Sequence, residues 1–124
     1  MKKILFTGAR SGIINKVIDK IIDSYYIYLT VETDKQLESV LKKYKNYKNV
    51  ECFKLDVTKK KDREKINSLD IDIFVSNAAI GMGGSLIEIP FNRVRKNYEV
   101  NVFSNFELIQ LAIQKMVKKG KGKI

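Results

Sequence analysis

The chain has 124 residues, 44% hydrophobic and 31% charged, which is enough for one domain (residues 1–124) with a buried core and too apolar for a disordered chain. A net charge of +10 and a pI near 9.7 raise a nucleic-acid partner, but arginine is confined to Arg10, Arg63, Arg93 and Arg95 and the lysines are scattered outside Lys115–Lys123, so specific nucleic-acid binding is not expected. No apolar run reaches membrane-spanning length, the start MKKILF stops at TGAR before it could serve as a signal peptide, and Cys52 has no partner cysteine, so no membrane and a reducing cytoplasm are expected.

Lys3 to Thr7 is a short apolar run ending in Thr-Gly and reads as a buried strand. Residues 12–23 set Ile13, Ile14, Val17, Ile18, Ile21 and Ile22 at helical spacing. Tyr25 to Val31 is β-branched and aromatic, a second strand. Lys35 to Tyr44 carries Leu37, Val40 and Leu41, a second helix. Val50 to Leu55 is a third strand, Asp56 to Leu69 a loop with a short polar helix, and Ile71 to Ser76 a fourth strand. A glycine-rich loop runs from Ala79 to Ser85, and Pro90 suits the first turn of a helix. A long helix is predicted from about Tyr98 to Lys118, followed by GKGKI.

Strands alternating with helices, with near-continuous apolar strands, imply a parallel sheet covered on both faces. The expected strand order is third, second, first, fourth, which puts a switch of direction beside the first strand. Ligands of such sheets sit in that crevice, at the carboxyl ends of the strands. The topology therefore brings TGARSGI, Glu32, Asp56 and SNAAIG to one place.

Within ILFTGARSGIIN, Gly8 would allow a tight turn, and Gly12 would let the backbone approach a pyrophosphate. The amide of Ile13, at a helix start, would offer a free N–H and the positive end of the helix dipole. The pattern is not a Walker A motif, because no Lys-Ser or Lys-Thr follows the second glycine. An ordinary strand-to-helix turn is the other reading of these glycines taken alone.

TGARSGI after the first strand, LDV after the third, VSNAAIG after the fourth and NYEVNV in the last helix recur in this order in one family. The sequence resembles the short-chain dehydrogenase/reductase family along its whole length, and looks like the N-terminal, cofactor-binding half of such an enzyme. The family's Thr-Gly-x-x-x-Gly-x-Gly falls on Thr7 to Ile14, its Asn-Asn-Ala-Gly on Ser76 to Ala79, and its helix asparagine on Asn101. The implied fold class is α/β, a Rossmann-like doubly wound parallel sheet ending after about four strands in the order 3-2-1-4. The implied cofactor is NAD or NADP, and the implied chemistry is hydride transfer between that cofactor and a small carbonyl or alcohol.

By this resemblance Gly8, Gly12 and Ile13 would hold the pyrophosphate, Arg10 and Ser11 would belong to the same cofactor-binding turn, and Asp56 and the Val57 amide would meet the adenine. Asn77, Ala78 and Ala79 would line the adenosine ribose side and brace the fourth strand against the first. Asn101 would be the catalytic asparagine that holds a water in a proton relay. From the residues alone, Asp56 could instead be a turn or capping residue, Asn77 could satisfy loop backbone, and Asn101 could face a neighbouring loop. Glu32 after the second strand favours a ribose 2′-hydroxyl and opposes a 2′-phosphate, whereas Arg10 suits a phosphate; the acid's position tips the expectation to NAD. Alternatively the two are solvated charges that neutralise each other.

The sequence departs from the family in two ways. The third glycine is Ile14, whose side chain must either rotate into the apolar stripe of its own helix or intrude on the cofactor. In the second case Ile14→Gly would tighten binding. The catalytic serine and Tyr-x-x-x-Lys of the family have no counterpart at matching positions, and there is no histidine to replace them. The chain is thus expected to be inactive alone and to take substrate only when completed by a C-terminal half. The fourth strand is expected to be an open sheet edge that, with part of the last helix, promotes self-association. Two other readings are a non-catalytic nucleotide-binding or interaction module and a basic nucleic-acid-associated domain. No metal site is expected.

Overall fold

A computed structural model describes residues 1–124. Four parallel strands, β1 (Lys3–Phe6), β2 (Tyr26–Val31), β3 (Val50–Lys54) and β4 (Ile73–Val75), form one sheet in the order β3-β2-β1-β4. The order is the expected one. The central strands β1 and β2 are short and largely apolar on both faces because helices cover both, whereas the edge strand β3 carries Glu51 and Lys54. Alternation along β1 sends Ile4 and Phe6 to one face and Leu5 to the other.

On the first face, Ile4, Phe6, Ile27 and Leu29 pack against α1 (Gly12–Ile21) and α2 (Asp34–Tyr44). On the second, Leu5, Tyr28 and Phe74 pack against Ile66 of the 3₁₀ turn Lys65–Ser68, which follows α3 (Lys60–Glu64), and against Leu108, Ala112 and Met116 of the final helix. A capping box starts α2: Thr33 Oγ1 accepts from the Gln36 N–H, and Gln36 Oε1 accepts from the Thr33 N–H. The start of α1 differs, since Ser11 at its N-cap makes no side-chain cap.

Ile14 is 3% exposed and belongs to the first-face core with Ile18 and Ile22. Of the two fates open to this side chain, the fold takes the first. It follows the helix's apolar stripe into the core.

The last helix is longer than its pattern predicts. α4 (Phe91–Tyr98) follows Pro90, passes through a π-helical turn (Glu99–Ser104), and continues as α5 (Asn105–Lys119). α4 buries none of its residues, although Phe91, Val94 and Tyr98 stand at helical spacing. Gly120, at φ 76°, ends α5 in the left-handed conformation.

The tail then returns to the sheet. Phe74 N–H donates to Lys123 O at 2.9 Å, and Lys123 N–H donates to Asp72 O at 3.0 Å. The edge of β4 is therefore not fully open, as the sequence suggests, but carries one parallel bridge between Ile73 and Lys123. At this end of the sheet Lys119 Nζ reaches Asp70 at 2.7 Å and Asp72 at 2.6 Å. The hydrogen bonds from Lys119 hold both carboxyls below their usual range.

The place of Ile14 yields a stability prediction opposite to a simple restoration of the glycine. Ile14→Gly should destabilise the fold by about 2–5 kcal/mol, as expected for emptying a buried aliphatic site. A urea unfolding curve measures this, and an unchanged midpoint would show that Ile14 contributes nothing to the core.

Candidate functional site

Gly8, at the end of β1, has φ +68°, and a Cβ placed on it would lie 2.9 Å from Ala78 Cα. Only glycine suits both demands: the left-handed backbone and the close approach of the chain leaving β4. Thr7, fully buried, fixes that approach. Its Oγ1 accepts from the N–H groups of Asn77 (3.0 Å) and Ala78 (3.1 Å). Asn77 Nδ2 returns the bond, donating to Thr7 O and Gly8 O at 3.1 Å. Asn77 thus satisfies loop backbone and ties the ends of β1 and β4 together.

The turn then opens into α1. The N–H groups of Gly12, Ile13 and Ile14 make no hydrogen bond within the chain, and no acidic side chain occupies this first turn. A Cβ on Gly12 would meet no protein atom within 4 Å. Neither packing nor a positive φ requires glycine at Gly12, so the open space in front of α1 suits an external acceptor of its N–H groups.

A cleft of about 680 Å³ lies along the carboxyl ends of the strands. Of the residues singled out from sequence, Gly8, Arg10, Ser11, Glu32, Asp56, Val57, Asn77, Ala78 and Ala79 line it. Gly12, Ile13 and Asn101 do not, and the Ile13 side chain points to solvent.

Asp56 Oδ1 accepts from the N–H and hydroxyl of Thr58, at 3.0 and 2.7 Å, a local turn that leaves Oδ2 3.9 Å from Lys59 Nζ. The Val57 N–H has no partner within the chain, while Val57 O accepts from Arg63 Nη1 at 2.9 Å. Arg63 is buried and paired with Glu107. Glu32 and Arg10 form no ion pair with each other. Glu32 N–H donates instead to Gln36 Oε1 at 3.0 Å.

The Asn101 side chain is committed to the loop. Its Oδ1 accepts from Ile80 N–H and its Nδ2 donates to Ile80 O, both at 2.8 Å.

Ile80, within the SNAAIG segment, also lines the cleft, as do Gln36, Thr58, Lys96 and Val100, which escape the sequence reading. Gln36 had a signal, the Thr-x-x-Gln capping pattern. Lys96 had none, being one of many exposed lysines.

Comparison with known proteins bears on the fold and on this glycine turn. The family model for short chain dehydrogenase matches residues 2–124. The chain belongs to the short-chain dehydrogenase family. It is 30% identical over 138 aligned positions to the diacetyl reductase [(S)-acetoin forming] of Staphylococcus epidermidis, covering 99% of this chain and 51% of that protein. A shorter stretch of 54 positions, 44% of this chain and 21% of the relative, is 44% identical to the 7alpha-hydroxysteroid dehydrogenase of Escherichia coli.

Among solved structures, an actinorhodin polyketide ketoreductase with NADPH superposes with a TM-score of 0.87 at 20% identity, covering 98% of this chain and 50% of that one. ElxO with NADP bound gives 0.85 at 22%, covering 98% and 52%. These two show a shared fold. The chain spans about half the length of the curated relatives it matches in full. The chain has the four-stranded Rossmann-like parallel sheet of that family. No helix is long and apolar enough to cross a membrane.

Proposed function

We propose that residues 1–124 form a nicotinamide-dinucleotide-binding unit of a cytoplasmic short-chain oxidoreductase. The observation that carries this reading is the start of α1, where three unpartnered N–H groups face open space beside Gly12. A pyrophosphate satisfies those donors and meets the positive end of the helix dipole. The turn of Gly8, Arg10 and Ser11 and the first residues of α1, Gly12 and Ile13, hold it. The Val57 N–H and Asp56 Oδ2, which makes no hydrogen bond within the chain, serve the adenine, and Asn77, Ala78 and Ala79 form the ribose wall. When bound, the nicotinamide supplies or accepts a hydride. The named diacetyl reductase and hydroxysteroid dehydrogenase support a small carbonyl or alcohol as its counterpart.

Glu32 supports NAD over NADP, because an unpaired carboxylate in the cleft accepts from a 2′-hydroxyl and repels a 2′-phosphate. A second reading, NADP, draws on the depression of about 290 Å³ beside Arg10, lined also by Thr33, Lys35 and Ser39. In calorimetric titrations NAD(H) should bind more tightly than NADP(H), with Glu32→Gln narrowing the ratio by up to about fivefold, the size of an exposed charge interaction. Gly12→Ala should weaken both cofactors while leaving the unfolding midpoint in place. Tighter NADP(H) would select the Arg10 depression, and no binding of either would overturn the reading.

Asn101 is proposed as a member of the proton-relay site rather than its acid. The only Tyr-x-x-x-Lys in the chain begins at Tyr44, which is core-packed at the C-terminal end of α2, bonded to Asn15, and does not line the cleft. A positioned general acid contributes about 10²–10⁴-fold in rate. Residues 1–124 alone should therefore give no oxidation or reduction above background across an aldehyde, ketone and alcohol panel. Turnover abolished by Asn101→Ala would refute this.

Self-association is the third part of the proposal. Tyr98, Val102, Phe103, Phe106, Ile113 and Val117 are exposed along one continuous helix. Light scattering should give a mass above that of one chain, reduced by Phe106→Glu. A concentration-independent monomer would remove the claim.

A further inference from the structure

We propose that Asn97 and Asn105, with Ser76, are positioning residues that hold the cofactor-side wall of the cleft in its binding conformation; the inference rests on the dinucleotide reading above. The wall is the segment Asn77–Ile80, and its main chain makes no hydrogen bond to any other main-chain group. A chain segment without a ladder must find its partners among side chains or water. On the β1 side the partner is Thr7, as described. On the opposite side every protein partner is an asparagine of the long helix.

Three asparagines, four residues apart, supply those bonds. Asn97 Nδ2 donates to Ile80 O at 3.3 Å, joining Asn101 on the same carbonyl. Asn101 Nδ2 also lies 3.3 Å from Asn97 Oδ1, so the two amides support each other. Asn105 Nδ2 donates to Ala78 O at 3.3 Å and to Asn101 O at 3.0 Å. Ser76 Oγ donates to Asn105 Oδ1 at 3.0 Å and orients that amide. None of Ser76, Asn97 or Asn105 lines the cleft, whereas Ala78, Ala79 and Ile80 do. The ladder stands behind the wall and acts through it.

The π turn explains how one helix aligns all three. In an uninterrupted α-helix a step of four residues overshoots a full turn by about 40°. Two such steps would carry Asn105 well round the helix from Asn97. The wider turn at Glu99–Ser104 takes back part of that rotation, so positions 97, 101 and 105 all reach the same loop.

The test combines ligand affinity with a local probe of the wall. NADH dissociation constants are measured for the unmodified chain and for Asn97→Ala, Asn105→Ala, Asn105→Gln and Ser76→Ala. Amide hydrogen exchange is followed in the free proteins over residues 78–81 and, as an internal reference, over β1 and β2. Asn105→Ala should weaken NADH about tenfold, the scale of an unsatisfied backbone carbonyl; Asn97→Ala should weaken it measurably but less, because Asn101 Nδ2 still donates to Ile80 O, and both should speed exchange only in the wall. Asn105→Gln, which keeps the carboxamide, should recover most of the affinity. Ser76→Ala, the mildest change, should show a smaller effect of the same kind.

Unchanged NADH affinity in folded Asn97→Ala and Asn105→Ala would overturn the ladder and leave the cofactor reading intact. Weakened affinity with faster exchange throughout the sheet, unrescued by glutamine, would mean a general structural role and would also overturn it. Should the alanine variants fail to fold, Ser76→Ala decides, and its unchanged wall exchange and affinity would reject the proposal. Absence of NADH binding by the unmodified chain would remove the dinucleotide reading, and this inference with it.

Discussion

The joint between the ends of β1 and β4 governs the geometry of the whole cleft. One buried hydroxyl, that of Thr7, accepts from two successive N–H groups of the chain leaving β4. Gly8 allows the close approach, and Asn77 closes it with two bonds in the other direction. Parallel strands offer no hairpin to set the spacing of their ends, so side chains must do it. The result brings the start of α1 and the wall 77–80 to facing positions. A hydroxyl, a missing Cβ and a carboxamide therefore set the distance across which any ligand must fit.

The two sides of the cleft are held by different means. The α1 side is covalently short: strand, five-residue turn (Thr7–Ser11), helix, with Ile14 and Ile18 anchoring the helix in the core. Rigidity there comes from apolar packing, and the helix start keeps its donors free. The loop side has no such anchor. Its residues are partly exposed and irregular, and polar side chains supply the order that packing supplies opposite. A hydrogen bond contributes modestly in net terms, yet leaving a partly buried carbonyl unpaired is costly. That asymmetry explains why a helix of mixed polarity, interrupted by a π turn, stands behind this loop.

Much of the fold was legible because short apolar runs separated by helical periods leave few topologies. The right-handed crossover rule then selects the strand order. Gly8 and Gly12 were legible for the same reason, being small residues at a strand-to-helix junction. Other features were not. Lys96 is one exposed lysine among many, on a helix that buries no residue, so nothing in the sequence set it apart from the others. Asn97 and Asn105 looked like ordinary polar helix positions, since their meaning lies in a loop some twenty residues away in the chain. The single bridge from Lys123 to β4 was likewise out of reach, because one residue of pairing leaves no pattern.

What the sequence determined by itself was the alternation of elements, the parallel sheet and the cluster of segments at its carboxyl edge. Local periodicity and turn chemistry suffice for these, because each depends on neighbours along the chain. Tertiary structure alone decided the fate of Ile14, the pairing of Asn101 with Ile80 and the alignment of three asparagines by a π turn. Each is a contact between chain segments, or a choice between two environments equally open to one side chain. For Ile14 the choice was between core and ligand space. The core prevailed because a β-branched side chain on the apolar stripe of α1 buries its surface at no cost in rotamer strain, whereas pointing into the cleft would leave it in water.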